Sequence, residues 1–242
     1  MIYLFTDFGF NGPYVGQIKT VLYEQAVDAK VIDLMHDAPV FNSRAAAHFL
    51  AASVLSLATK SIVLGVVDPG VGSARKGVAL YADSRWYVGP DNGLFDVIAS
   101  RASEFQWYEI TYKNMNASCS FHGRDVFSPV AAMLHNRIEL SEFLLPIKTH
   151  NQTQADDLFE VIYIDHFGNL MTGIRALNFE LSKQLVIDGT NISYAHIFSD
   201  VKKGEAFYYE NSQGLLEIAV NSGSAEKVFG AAIGDVIDVL LK

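Results

Sequence analysis

Ser61-Ile62-Val63-Leu64-Gly65-Val66-Val67-Asp68-Pro69-Gly70-Val71-Gly72-Ser73-Ala74-Arg75 is the stretch whose reading decides the fold. The run from Ser61 to Val67 is short, apolar and β-branched, the signature of a buried strand, and a Pro and two Gly residues stop it abruptly. Upstream, Ile2 to Phe5 and Val31 to Leu34 read as buried strands of the same kind. The segments between them repeat apolar residues at helical spacing: Val15, Ile18, Val21 and Leu22 within 14–26, then Ala46, Leu50, Val54 and Leu57 within 43–58. Strand, helix, strand, helix, strand implies parallel pairing through right-handed crossovers. Asp68 then falls at the carboxyl edge of the sheet, where folds of this type hold their ligands.

Downstream, Val78 to Tyr81 and Trp86 to Val88 read as a tight β-hairpin around Asp83-Ser84. The turn Gly89-Pro90-Asp91-Asn92-Gly93, a helix from Leu94 to Ala99, a strand near Trp107 to Ile110 and a helix over 128–135 follow. Residues 1–147 are therefore predicted to form an N-terminal α/β domain with a mostly parallel central sheet. The polar stretch from Leu145 to Asp157 has no periodicity and is read as the boundary. Beyond it come short strands separated by turns: Leu158 to Ile164, Leu185 to Ile187, Ala206 to Glu210, Leu215 to Val220 and Val236 to Leu240. Residues 157–242 are predicted to be a small all-β barrel or sandwich.

Composition narrows the function. The 242 residues are 50% hydrophobic and 19% charged, enough for a substantial core. No apolar run reaches the roughly 18 residues that span a bilayer. The first residues lack the basic region and cleavage site of a signal peptide. One cysteine, Cys119, excludes an internal disulfide and a cysteine-based zinc site, and fits a reducing cytoplasm. A net charge of −9 argues against a nucleic-acid or anionic-membrane binder. His36-Asp37 and His48 have no partners at ligand spacing, so no metal site is expected.

Three residues stand out as a reactive set. Asp68 and Arg75 flank a glycine-rich turn that lacks the Gly-Lys-Ser/Thr ending of a Walker loop, and His122 lies in Phe121-His122-Gly123-Arg124-Asp125. Arg75 is permanently charged and suits holding or polarising a water, whereas His122 is the natural proton acceptor. None of the three is a strong nucleophile, which points to water as the attacking group. Arg124 and Asp125 are read as bracing the turn and capping the helix after it. Asp7, directly after the first strand, suits a ribose diol or a turn brace. The polar turns at Asp165 to Asn169, Asn211 to Gly214 and Asn221 to Ala225 offer adenine-edge and carboxylate partners, or are ordinary β-turns.

Five motifs in order now carry a resemblance: Thr6-Asp7-Phe8-Gly9, Val67-Asp68-Pro69-Gly70-Val71-Gly72, Gly89-Pro90-Asp91-Asn92-Gly93-Leu94-Phe95, Phe121-His122-Gly123-Arg124-Asp125 and Asp165-His166-Phe167-Gly168-Asn169. Together they resemble the S-adenosyl-L-methionine (SAM) hydroxide adenosyltransferases, adenosine-forming SAM hydrolases related to fluorinating and chlorinating enzymes. The resemblance implies an N-terminal α/β domain and a C-terminal β-barrel, in a homotrimer that binds SAM at the subunit interface. It implies water attack on the ribose 5′ carbon, giving adenosine and L-methionine, with no metal or organic cofactor. It assigns Asp68, Arg75 and His122 as catalytic. Asp7 is matched to the ribose diol, Asp165 to the methionine ammonium, Asn169 to adenine and Ser212 to the methionine carboxylate. Two departures accompany it. Gly173 stands where the family often has Asn, which predicts a looser pocket there. Gly123 supplies no hydroxyl for a halide, which favours water. A non-catalytic adenosyl-ligand binder and a halide-dependent transferase remain the competing classes.

Overall fold

The computed structural model describes residues 1–148, 150 and 157–240. By contacts the chain separates into two compact units, Met1–Ala47 with Ser56–Gln154, and His48–Leu55 with Ala155–Lys242. Most of the polar stretch read as a boundary (149 and 151–156) lies outside the described residues.

The first unit is built on a seven-stranded sheet. In chain order its elements are β1 (Ile2–Thr6), α1 (Tyr14–Gln25), β2 (Val31–Met35), α2 (Ser43–Ser53), β3 (Ile62–Val66), β4 (Gly77–Ala82), β5 (Arg85–Pro90), α3 (Asp96–Arg101), β6 (Phe105–Ile110), α4 (Ser128–His135) and β7 (Leu144–Ile147). Helix α2 is divided, its residues from His48 onward clustering with the second unit. The strand order is β2-β1-β3-β5-β4-β6-β7. β2, β1, β3 and β5 pair in parallel, whereas β5, β4, β6 and β7 pair antiparallel. The sheet is therefore mixed rather than mostly parallel. The cause is local: Asp83 and Ser84 both take positive φ (42° and 65°), the two-residue turn that folds β4 back on β5, and β6 and β7 add to that reversed half. β7 also claims Leu145 to Ile147, which polarity alone had assigned to the boundary.

Ile2, Leu4, Ile62 and Leu64 project from β1 and β3 into a core shared with Ile18 and Leu22 of α1 and Val130 and Leu134 of α4. Each such fully buried side chain stabilises by about 1.5–3 kcal/mol. Tyr3 and Phe5, one residue out of phase, are buried on the opposite face. β2 is not the buried strand expected. It lies at the sheet edge, where Ile32 is 39% exposed.

The second unit contains β8 (Leu158–Ile164), β9 (Leu170–Arg175), β10 (Gln184–Ile187), β11 (Thr190–Ile192), β12 (Ala206–Glu210), β13 (Leu215–Val220), α5 (Ala225–Phe229) and β14 (Asp238–Leu240). β12-β13-β9-β8 form one antiparallel sheet and β11-β10-β14 another. Val161, Leu170, Leu185, Ile187, Leu216 and Ile237 share one core. Single bridges join Glu160 to Val236 and Tyr194 to Tyr208. Part of the predicted Asn221–Ala225 turn is a helix start: Ser224 accepts from Lys227 N at 3.2 Å and caps α5. Gly173 does not loosen a pocket. It faces Leu158 in the β8–β9 ladder, and a Cβ there would stand 2.6 Å from Leu158 Cβ, so the strands approach too closely for any side chain.

Candidate active site

The strand order 2-1-3 places a topological switch between β1 and β3, the point at which open α/β sheets bind ligands beyond the carboxyl strand ends. Thr6 and Val66 are register partners there, and the Asp7 amide donates to Val66 O at 3.4 Å. Asp7 and Asp68 thus leave neighbouring strands, close enough that the charge of Asp68 acts on Asp7. Burial pushes the Asp7 carboxyl above its ordinary value. The Phe41 amide, 3.2 Å from Asp7 Oδ2, pulls it down, and the negative charge of Asp68 adds to the rise.

The loop after β3 is fixed from several directions. Asn92 Nδ2 donates to Val67 O at 2.7 Å, bracing the residue before Asp68. Ser73 Oγ donates to Gly70 O at 2.7 Å and accepts from Arg75 N at 3.2 Å, which closes the turn. Gly72 has φ +81°, and a Cβ on it would lie 2.5 Å from Cys119 O, so only glycine lets this loop meet the segment leading to His122. Arg75 then forms an ion pair with Asp68 Oδ2 through Nη2, and its guanidinium lies 5.9 Å from the centre of the Phe127 ring.

This pair is incompletely satisfied. Asp68 Oδ1 and Arg75 Nε are buried without a hydrogen-bond partner among the described residues. A Cβ built on Gly70 would stand 3.8 Å from the first and 3.9 Å from the second, so both atoms border the space that glycine leaves. Burial raises the Asp68 carboxyl, and Arg75, the Gly70 amide and His122 counter only part of that push.

His122 precedes a π-helical turn, Gly123–Phe127, that runs into α4. Asp125 does not cap a helix as expected. Its carboxylate takes Arg124 in two bonds, at 2.6 and 2.8 Å, and its Oδ2 accepts from Ser118 N at 2.8 Å, tying down the preceding loop. The Arg124 bonds hold Asp125 below the usual carboxylate range.

Asp7, Asp68 and His122 line one cavity of about 620 Å³ in the first unit. Phe8, Tyr14 and Phe121 form an aromatic wall of it, with ring centres 5.4–5.9 Å apart. Phe8 and Phe121 lie inside the quoted motifs, but nothing in their local pattern marks them as neighbours in one wall. Ser118 and Ser120 also line it and were missed. Their hydroxyls lie 3.2 Å apart, and neither is bonded to His122.

Asp165 and Asn169 line a separate depression in the second unit with Phe167, Phe198 and Tyr209. Asp165 Oδ1 accepts from the amides of Phe167 (2.8 Å) and Asn169 (2.9 Å), and Asn169 Nδ2 donates to Asp165 Oδ2 at 3.0 Å. Ser212 is exposed in the β12–β13 turn and lies in neither lining. Among the described residues no group of three His, Cys, Asp or Glu side chains is placed to hold a metal, and no helix is long and apolar enough to cross a membrane.

The chain is 36% identical to (R)-S-adenosyl-L-methionine hydrolase of Thermus thermophilus over 99% of both sequences. It is 33% identical to the enzyme of that name from Salinispora tropica, covering 97% of this chain and 95% of that one. A crystal structure of a conserved protein from Thermotoga maritima matches with a TM-score of 0.88 at 31% identity over the whole of both chains. Residues 2–144 match the SAM hydroxide adenosyltransferase N-terminal domain and residues 159–238 its C-terminal domain. On these grounds the chain belongs to the SAM hydroxide adenosyltransferase family.

Proposed function

We propose that this protein hydrolyses S-adenosyl-L-methionine to adenosine and L-methionine. The observation that carries the mechanism is the Asp68–Arg75 pair with Oδ1 and Nε unpaired beside Gly70, in a molecule whose His122 lines the same cavity as Asp68. A water held there attacks the ribose 5′ carbon. The C5′–O bond forms as the C5′–S bond breaks, its electrons return to sulfur, and methionine leaves as a neutral thioether. The proton passes to His122, directly or through the Arg75–Asp68 pair. A positioned base contributes roughly 10²- to 10⁴-fold, and the fixed charge of Arg75 adds electrostatic stabilisation. Asp7 holds the ribose diol, Asp165 the methionine ammonium, Asn169 the adenine and Ser212 the methionine carboxylate.

Residues 1–147 and 157–242 serve as the two domains of this reading, supported by the separate family matches. In the second, the bridges Glu160–Val236 and Tyr194–Tyr208 connect β8 and β12, the two edge strands of the four-stranded sheet, to the segments flanking β14 and β11 of the other sheet, which supports closure as a barrel. We place the site at the interface of a homotrimer. Phe41 (75% exposed) on the first cavity and Phe167 (73% exposed) on the second depression support this, because such aromatics are normally covered.

The test is incubation of the purified protein with both sulfonium epimers of SAM in ¹⁸O-labelled water, since the relatives are named for the R form. Labelled adenosine with methionine is expected. Intact SAM retained on the protein overturns catalysis, and a 5′-halo nucleoside in added chloride overturns water as the nucleophile.

A further inference from the structure

His36 has no partner at metal-ligand spacing in the chain, yet the fold buries it beside the end of β1, at 1% exposure. Its Nε2 lies 2.9 Å from Asp33 Oδ1, and its Nδ1 lies 2.8 Å from Thr6 Oγ1. Lys19 Nζ donates to the other Asp33 oxygen at 2.6 Å, so the carboxylate is itself held. A carboxylate only accepts, so Nε2 carries the proton towards Asp33. In the neutral ring Nδ1 is then an acceptor, and the Thr6 hydroxyl donates to it. The Phe10 ring stands edge-on against the imidazole, with ring centres 5.5 Å apart.

The consequence falls on Asp7, the residue after Thr6. Thr6 is fully buried, and with its proton committed to His36 its Oγ1 turns lone pairs towards the Phe8 amide, 3.4 Å away. Backbone bonds lace the same segments together, Gly9 N to His36 O at 2.6 Å and Ala38 N to Thr6 O at 3.1 Å. The residues on both sides of Asp7 are therefore tied to one hydroxyl, and the carboxylate enters the first cavity from a clamped turn.

We propose that His36 is a positioning residue for Asp7: held by Asp33, it fixes the Thr6 hydroxyl and so sets the Asp7 carboxylate against the two hydroxyls of a vicinal diol. This rests on the reading of Asp7 as the ribose partner. Diol recognition itself belongs to Asp7, and His36 and Thr6 set its geometry from below.

Full-length wild type, Thr6→Val, Thr6→Ser and Asp7→Ala are titrated with adenosine and with 2′,3′-dideoxyadenosine, and each protein's Tm is recorded. Wild type is expected to bind adenosine about 10- to 100-fold more tightly, the effect of charge-assisted bonds to the diol. Thr6→Val keeps the shape and loses the hydroxyl, and its ratio is expected to fall about five- to tenfold. Thr6→Ser gives up the buried methyl, keeps the hydroxyl and is expected to keep the ratio. A loss of stability alone moves Tm and weakens both nucleosides alike, so it leaves the ratio where it was. The imidazole ¹⁵N spectrum of wild type at alkaline pH is the second measurement and needs no variant to fold. His36 is expected as the Nε2–H tautomer, and the Nδ1–H tautomer overturns the proposal. A folded Thr6→Val protein that keeps the wild-type ratio while Asp7→Ala loses it overturns the proposal alone. A wild-type ratio near one, or an Asp7→Ala protein that keeps the ratio, overturns the diol reading of Asp7 and the proposal with it. A diol preference that depends on Thr6, without SAM turnover, leaves the proposal standing and defeats hydrolysis.

Discussion

Gly70→Ala separates folding from catalysis in the proposed site. The added methyl carbon would lie 3.7 Å from Ser73 Oγ, 3.8 Å from Asp68 Oδ1 and 3.9 Å from Arg75 Nε, all ordinary van der Waals distances. Gly70 also lies outside the left-handed region, so alanine adopts its backbone without strain. Folding is therefore not penalised. Restricting the unfolded chain should stabilise the protein by about 0.4–1 kcal/mol, a rise of about 1–4 °C in Tm for a chain of this length. The methyl nevertheless fills the space bordered by the two unpaired polar atoms. A water bridging them at about 2.9 Å would be displaced or pushed aside, and a misplacement of about 1 Å costs roughly 10²-fold in rate. The expected result is turnover reduced about 100-fold with KM for SAM nearly unchanged and Tm equal or higher. Adenosine release by chromatography and a thermal melt read both quantities. Undiminished kcat in a folded Gly70→Ala protein would show that the nucleophile is not held beside this glycine, and the proposed role of the Asp68–Arg75 pair would go with it.

Asp7→Ala should raise KM about ten- to a hundredfold while kcat changes little, because its proposed bonds are to the unreacting diol; unchanged SAM affinity by calorimetry removes Asp7 from the site. Asp125→Asn should destabilise most at neutral pH. The folded-state pKa of Asp125 is lowered, so its contribution is present above the usual carboxylate value and is lost as pH falls through the lowered one; urea melts that show the same difference at acidic and neutral pH contradict this. Gly173→Ala forces a Cβ against Leu158 Cβ and carbonyl oxygen, at 2.6 and 2.7 Å, and should cost about 1–3 kcal/mol; an unshifted denaturation midpoint would show that the β8–β9 ladder opens freely.

Much of the frame was legible because it rests on local rules. The helical spacing of Ile18 and Leu22 and the apolar run Ile62 to Val67 foretold α1 and β3, and the helix over 128–135 appears with those bounds. Asp7 and Asp68 were found for the same reason: each follows directly on a strand whose end is marked in the chain. β2 was misjudged because Val31 to Leu34 has the same apolar look in a central strand as at an edge. β9 has no expectation to match it, although the turn at Asp165 to Asn169 directly before it is marked in the sequence.

The order and spacing of Asp7, Asp68, Arg75, His122, Asp165 and Asn169 belong to the sequence alone, as do the alternation of strands and helices and the family they identify. Only the tertiary structure decided that half of the first sheet runs antiparallel and that Gly173 is a close approach rather than an open pocket. It also decided that Asn92 braces Val67, 25 residues earlier in the chain, and that Asp165 takes the amide of Asn169 while Tyr209 and Asn211 hold Glu217. Periodicity records which way a residue faces along its own element. Partners, protonation and amide orientation depend on the atoms that distant segments bring within about 3 Å, and no local pattern carries that information.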